Sequence, residues 1–92
     1  MPRKPEEWAD EYKHVTKVFG PRLLDIMEGM TITELSLRSG VSTSTISNWI
    51  QGRTVPDIVR LFAISNVLNA SIDWLVGLDD DDAPQRSPSY HQ

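Results

Sequence analysis

Two helix starts on either side of a single glycine leave the middle of this chain little choice of fold. Thr31-Ile32-Thr33-Glu34 is a capping box, in which the Thr31 hydroxyl and the Glu34 carboxylate each take up a backbone N–H that the first helical turn leaves without a partner. The helix so started should run over 32–39. Gly40 stands where a sharp turn needs positive φ, and Val41 can drop into the core as the chain reverses. Ser42 then caps a second helix over about 43–51.

That second helix divides at 3.6 residues per turn. Ile46, Trp49 and Ile50 cluster on one side, while Thr43, Ser44, Ser47, Asn48 and Gln51 line the other. An ordinary solvated surface would favour Lys and Glu, which are better helix formers than these short or amide side chains. The remaining elements are also helical. Pro5, Glu6 and Glu7 suit the start of a helix over 5–19, on which Trp8, Tyr12, Val15 and Phe19 form one apolar stripe that Gly20 can end. The stripe is expected to pack on the domain body, with a dimer surface as the alternative. Pro21 begins a short second helix capped at Gly29. Pro56 opens a longer one reaching 68, with Ile58, Leu61, Phe62, Ile64, Ser65 and Leu68 at core spacing. Asn69 takes the left-handed exit, Ser71 caps a last turn or two through Leu75, and Gly77 ends it. No segment alternates with period two, so strands are not expected.

The organisation read from these signals is an N-terminal extension over 1–20, a helical body over 21–77 and an acidic, disordered tail over 78–92. The chain has 92 residues and a formal charge of −4. Asp79 to Asp82 against Arg86 account for most of that acidity. Between residues 31 and 60, Arg38, Arg53 and Arg60 outnumber Glu34 and Asp57. The body is thus close to neutral, and a nucleic-acid partner is compatible with it. With no cysteine and only His14 and His91, neither a thiolate zinc site nor a paired-imidazole metal site can form. No metal or other cofactor is expected. There is no apolar run of ~20 residues and no secretory start, so a cytoplasmic protein without membrane contact is expected. No phosphate-cradling glycine loop or nucleophile frame is present, which argues against an enzyme and a small-molecule substrate.

The run Leu35-Ser36-Leu37-Arg38-Ser39-Gly40-Val41-Ser42-Thr43-Ser44-Thr45-Ile46-Ser47-Asn48-Trp49-Ile50-Gln51-Gly52 closely resembles the helix-turn-helix of the phage repressor and Cro family. Pro56 and the ending Asn69-Ala70-Ser71-Ile72-Asp73-Trp74-Leu75 continue the resemblance, which covers residues 30–76. It implies an all-α, lambda repressor-like domain of about five short helices, here with an extra N-terminal helix, whose third helix enters the major groove. Small Ser36 lets the second and third helices cross closely. The resemblance further implies a phage- or prophage-type repressor that binds double-stranded operator DNA as a homodimer.

Carried over residue by residue, it assigns base reading to Thr43, Ser44 and Asn48, with Ser47 on the same face. The chemistry suits them: Asn48 can bond adenine bidentately, Thr43 can offer its methyl to thymine, and Ser44 can donate or accept. Thr33, Ser42, Thr45, Gln51 and Arg53 are then the phosphate contacts that fix register. Two positions depart from the family. Ile32 stands where Gln is usual, and Ile50 where a polar residue is usual, so the N-terminal helix or a second subunit is expected to cover one or both. Arg38, Arg53 and Arg60 could equally be plain solvent-facing cations. The rival reading is an antitoxin-like or accessory protein-interaction module that uses the Trp8–Tyr12 stripe and binds DNA secondarily.

Overall fold

The computed structural model describes residues 2–79. Among them a 3-10 turn at Pro5–Trp8 leads into five α-helices: α1 (Ala9–Met27), α2 (Ile32–Ser39), α3 (Thr43–Ile50), α4 (Ile58–Leu68) and α5 (Ile72–Leu75). The fold is all-α, as expected, with α1 packed on α3 and α5, and α2 packed on α3 and α4. The tail expected over 78–92 lies outside the described residues from residue 80 onward.

The caps read from sequence form. Thr31 Oγ1 accepts the Glu34 amide at 3.0 Å, the Glu34 carboxylate returns to the Thr31 amide, and Gly40 turns the chain at φ 79°. Ser42 accepts the Thr45 amide at 3.2 Å, and Ser71 accepts that of Trp74 at 3.3 Å. Asp57, one residue beyond the expected Pro56 start, caps α4. Asn69 leaves that helix in the left-handed conformation at φ 51°.

The first helix corrects the expectation of two helices broken at Gly20. α1 runs unbroken through Gly20 and Pro21. Val15, Phe19, Leu23 and Ile26 keep a single helical period across that point, and Phe19, Leu23 and Ile26 are fully buried. Continuous burial outweighs the amide that Pro21 cannot donate to the carbonyl one turn back, which a reading of local propensity does not weigh. Gly20 serves close approach instead: a Cβ there would lie 2.5 Å from the Trp49 carbonyl oxygen and 2.6 Å from that of Ile50. The left-handed exit from α1 begins at Glu28, one residue ahead of Gly29.

Phe19 meets Trp49 edge-on, ring centroids 5.7 Å apart. This geometry adds roughly 1 kcal/mol beyond the area buried. At the far side Arg22 lies over the Trp74 ring and donates to the carbonyls of Trp74 in α5 (2.6 Å) and of Asp79 beyond it (2.8 Å). His14 Nε2 lies 3.2 Å from the Gly77 carbonyl oxygen. Ile32 and Ile50 are half-buried against the core, and the Ile50 backbone is covered by α1 at Gly20.

Two expected core faces are only partly buried. On α4, Leu61, Ile64, Ser65 and Leu68 are buried, but Ile58 and Phe62 are 72% and 64% exposed, beside an exposed Val59. The neighbours of α4, α2 and α5, cover a narrower arc than apolar spacing suggests. At the N-terminal end, Trp8 of the 3-10 turn and Tyr12 of α1 remain about half exposed. They border a shallow groove of about 340 Å³ shared with Val15, Pro56, Leu61 and Val76.

Two substitutions separate these opposing effects in α1. Gly20→Ala drives a Cβ into backbone carbonyls and is expected to lower stability by about 2–3 kcal/mol, despite the better helix propensity of Ala. Pro21→Ala, on the exposed side, restores a helical amide and is expected to raise stability by roughly 2 kcal/mol. Urea denaturation of both variants checks the pair. Equal stability for Gly20→Ala and the parent would contradict the close approach.

Candidate nucleic-acid interface

Ile46 and Trp49 hold α3 from behind, both buried, so that residues on the opposite arc face solvent. At 100° per residue, Ser44, Ser47, Asn48 and Gln51 share an arc of about 100° centred away from the core, with Thr43 and Thr45 on its flanks. Thr43, Ser44 and Gln51 are exposed, and Thr45, Ser47 and Asn48 are half-buried. The structure therefore brings all the expected base-reading residues onto one surface with Ser42, Thr45 and Gln51. Thr33, on the first turn of α2, is exposed, and Arg53 is exposed beyond the end of α3.

Hydrogen bonds within this surface set what each side chain has left to offer. Ser42 Oγ bonds Thr45 Oγ1 at 2.8 Å and lies 3.3 Å from Ser44 Oγ, so three hydroxyls form a chain around the start of α3. Gln51 Nε2 donates to Ser47 Oγ at 3.0 Å, which occupies one acceptor site of Ser47 and orients the amide. The Arg53 amide donates to the Asn48 carbonyl at 2.9 Å and closes the exit turn. No hydrogen bond joins the side chain of Asn48 to another among the described residues.

The segment after Arg53 also borders this surface. Asn48 and Thr45 line a cleft of about 240 Å³ whose other wall is Thr54, Pro56, Asp57 and Arg60. Arg60, for which a DNA contact and a plain surface cation were equally open from the sequence, thus borders the same cleft as Asn48. The only sequence signal for it was Asp57 three residues before Arg60, the spacing of an N-cap to its third helical residue. Asp57 Oδ1 accepts the Arg60 amide at 2.9 Å, and its other oxygen takes the Arg60 guanidinium. These two bonds, the backbone one foremost, hold the Asp57 carboxyl below the usual carboxylate range. At the N-terminus, Arg3 forks onto Glu11 at 2.9 and 3.1 Å and lies 3.8 Å above the Trp8 ring centre. That hydrogen-bonded pair lowers the Glu11 pKa and raises that of Arg3.

Two short capped helices joined through Gly40, the second showing an uncharged polar face, are a helix-turn-helix in geometry. A family model for the helix-turn-helix, of the Cro/C1 type, matches residues 23–75, more than half of the chain. The chain belongs to this family and is a DNA-binding transcriptional regulator. No curated protein and no solved structure matches it. Among the described residues no helix is long and apolar enough to cross a membrane.

The Asp57 cap makes the base of the cleft acid-sensitive. With its pKa lowered on folding, the native state binds fewer protons than the unfolded chain. The contribution of Asp57 is complete above its unfolded value of about 3.9 and is lost as pH falls through the lower folded value. Asp57→Asn keeps a good cap but removes this titration. The expected result is that the parent loses more stability than Asp57→Asn between about pH 5 and pH 2.5. Equal losses in thermal melts would contradict the assignment.

Proposed function

We propose that this chain is a phage- or prophage-type repressor that binds a two-fold symmetric operator as a homodimer, with α3 in the major groove. Thr43, Ser44, Ser47 and Asn48 read bases. Thr33, Ser42, Thr45, Gln51 and Arg53 hold phosphates. The observation that carries the reading is the outward arc of α3, where every side chain is short or an amide and none is charged, on a helix anchored by Ile46 and Trp49. Such a face suits hydrogen bonding to base edges at close range. The homodimer is supported by Ile58, Val59 and Phe62, a large exposed apolar patch on α4, of the kind that a second subunit covers. Two recognition helices about 34 Å apart would then meet successive major grooves.

A second reading, the antitoxin-like or accessory protein-interaction module, is favoured by the groove at half-exposed Trp8 and Tyr12. Selection of bound duplexes from a randomised pool distinguishes the two. A symmetric motif with half-sites one helical turn apart supports the repressor, and recovery of no motif, with binding that simply fades as salt rises, supports the module. Given a motif, Asn48→Ala is expected to weaken the selected site by about 1–3 kcal/mol and relax one base position, whereas Arg53→Ala weakens all sequences alike. Unchanged binding by Asn48→Ala in a fluorescence titration would remove that residue from the site.

A further inference from the structure

The N-terminal half of α1 lies outside the family match, yet it packs against the turn that leaves the recognition helix. A Cβ at Gly52 would lie 3.1 Å from the Thr16 carbonyl oxygen, and one turn on, Gly20 meets the carbonyls of Trp49 and Ile50. Residues 16 and 20 therefore straddle the C-terminal end of α3. Helical periodicity puts Lys13 and Lys17 about 60° and 100° around the axis from Thr16. On the helical wheel they fall between Gly20, which faces α3, and His14, while Val18 and Arg22 lie further round on the α5 side. Both lysines are exposed, and no side-chain hydrogen bond or ion pair holds either among the described residues. Lys17 follows Thr16 in the chain and Arg53 follows Gly52, so both cations are carried by residues next to this one backbone contact.

We propose that Lys13 and Lys17 form a further binding site for the DNA phosphate backbone, extending the interface from Gln51 and Arg53 onto α1. The inference rests on the DNA-binding reading of α3. Two like charges one turn apart oppose a bare helix. A phosphate near both removes that repulsion. The surface also needs cations from outside the motif. The polar arc of α3 carries none, and Arg60 is engaged by Asp57. Asp10 is the nearest carboxylate on this flank of α1, and no ion pair joins it to Lys13 among the described residues. A duplex lying along α3 and crossing the Gly52–Arg53 turn meets Lys17 and then Lys13, so α1 acts as a backbone clamp that adds affinity without reading sequence.

The test is the salt dependence of binding by the full 92-residue chain to a fluorescent random-sequence duplex pool and to duplexes selected from it, between about 50 and 200 mM KCl. Replacing both residues, Lys13→Gln with Lys17→Gln, is expected to flatten the slope of log K against log salt by about 0.9 per lost contact. Across that fourfold range the variant would lose roughly tenfold less affinity than the parent, with the selected motif unchanged. Charge reversal, Lys13→Glu with Lys17→Glu, is expected to weaken both probes further while melting stays as in the parent. Equal slopes for the parent and both folded variants would overturn the proposal and leave the regulator reading standing. A parent that binds neither probe would overturn both.

Discussion

The arrangement depends on a backbone-to-backbone approach at Gly20. Without a side chain there, α1 closes onto the carbonyls of Trp49 and Ile50, and Phe19 reaches Trp49 edge-on. The last turn of α3 is thereby fixed from the side, while Ile46 and Trp49 fix it from below. If this face reads DNA as proposed, a surface built from short side chains needs this rigidity. Ser and Thr hydroxyls reach little beyond the backbone, so a small displacement of the helix would carry them out of hydrogen-bond range.

Around that fixed helix the polar groups are organised by one another. Ser42, Thr45 and Ser44 share hydroxyl contacts at its start, and Gln51 holds Ser47 at its end. The Asn48 side chain lies between these clusters, beside a cleft walled by the cap of α4. Little charge stands on this surface. On the proposed reading of this surface, affinity comes from a modest number of phosphate contacts at its edges, and discrimination from short-range hydrogen bonds and DNA shape.

The parts of the molecule that contribute least to its core are its most distinctive. Ile58, Val59 and Phe62 lie on α4, and Trp8 and Tyr12 at the opening of α1, all exposed to a degree that a compact body does not require. Arg3 steadies the N-terminal end by stacking on Trp8 and pairing with Glu11. These residues lie on helix sides that no neighbouring element fully covers. Such apolar surface is well placed for contact with other macromolecules.

Sequence by itself determined the local geometry: the capping box at Thr31 and Glu34, the turn at Gly40, the caps at Ser42 and Ser71 and the exit at Asn69 all form as read. Each depends on one residue meeting backbone groups within a few positions. The polar arc of α3 was legible for the same reason, since helical period alone assigns its face. The tertiary structure decided the rest. Gly20 and Pro21 carry the local signature of a helix break, yet α1 passes through them, because burial of Phe19, Leu23 and Ile26 in one continuous stripe outweighs a lost amide bond. Ile58 and Phe62 had core spacing but no neighbour to cover them. Arg60 joined the cleft beside Asn48 only when the segment after α3 brought the start of α4 back past it. Periodicity states which side of a helix is apolar; what lies against that side is set by packing between elements distant in the chain.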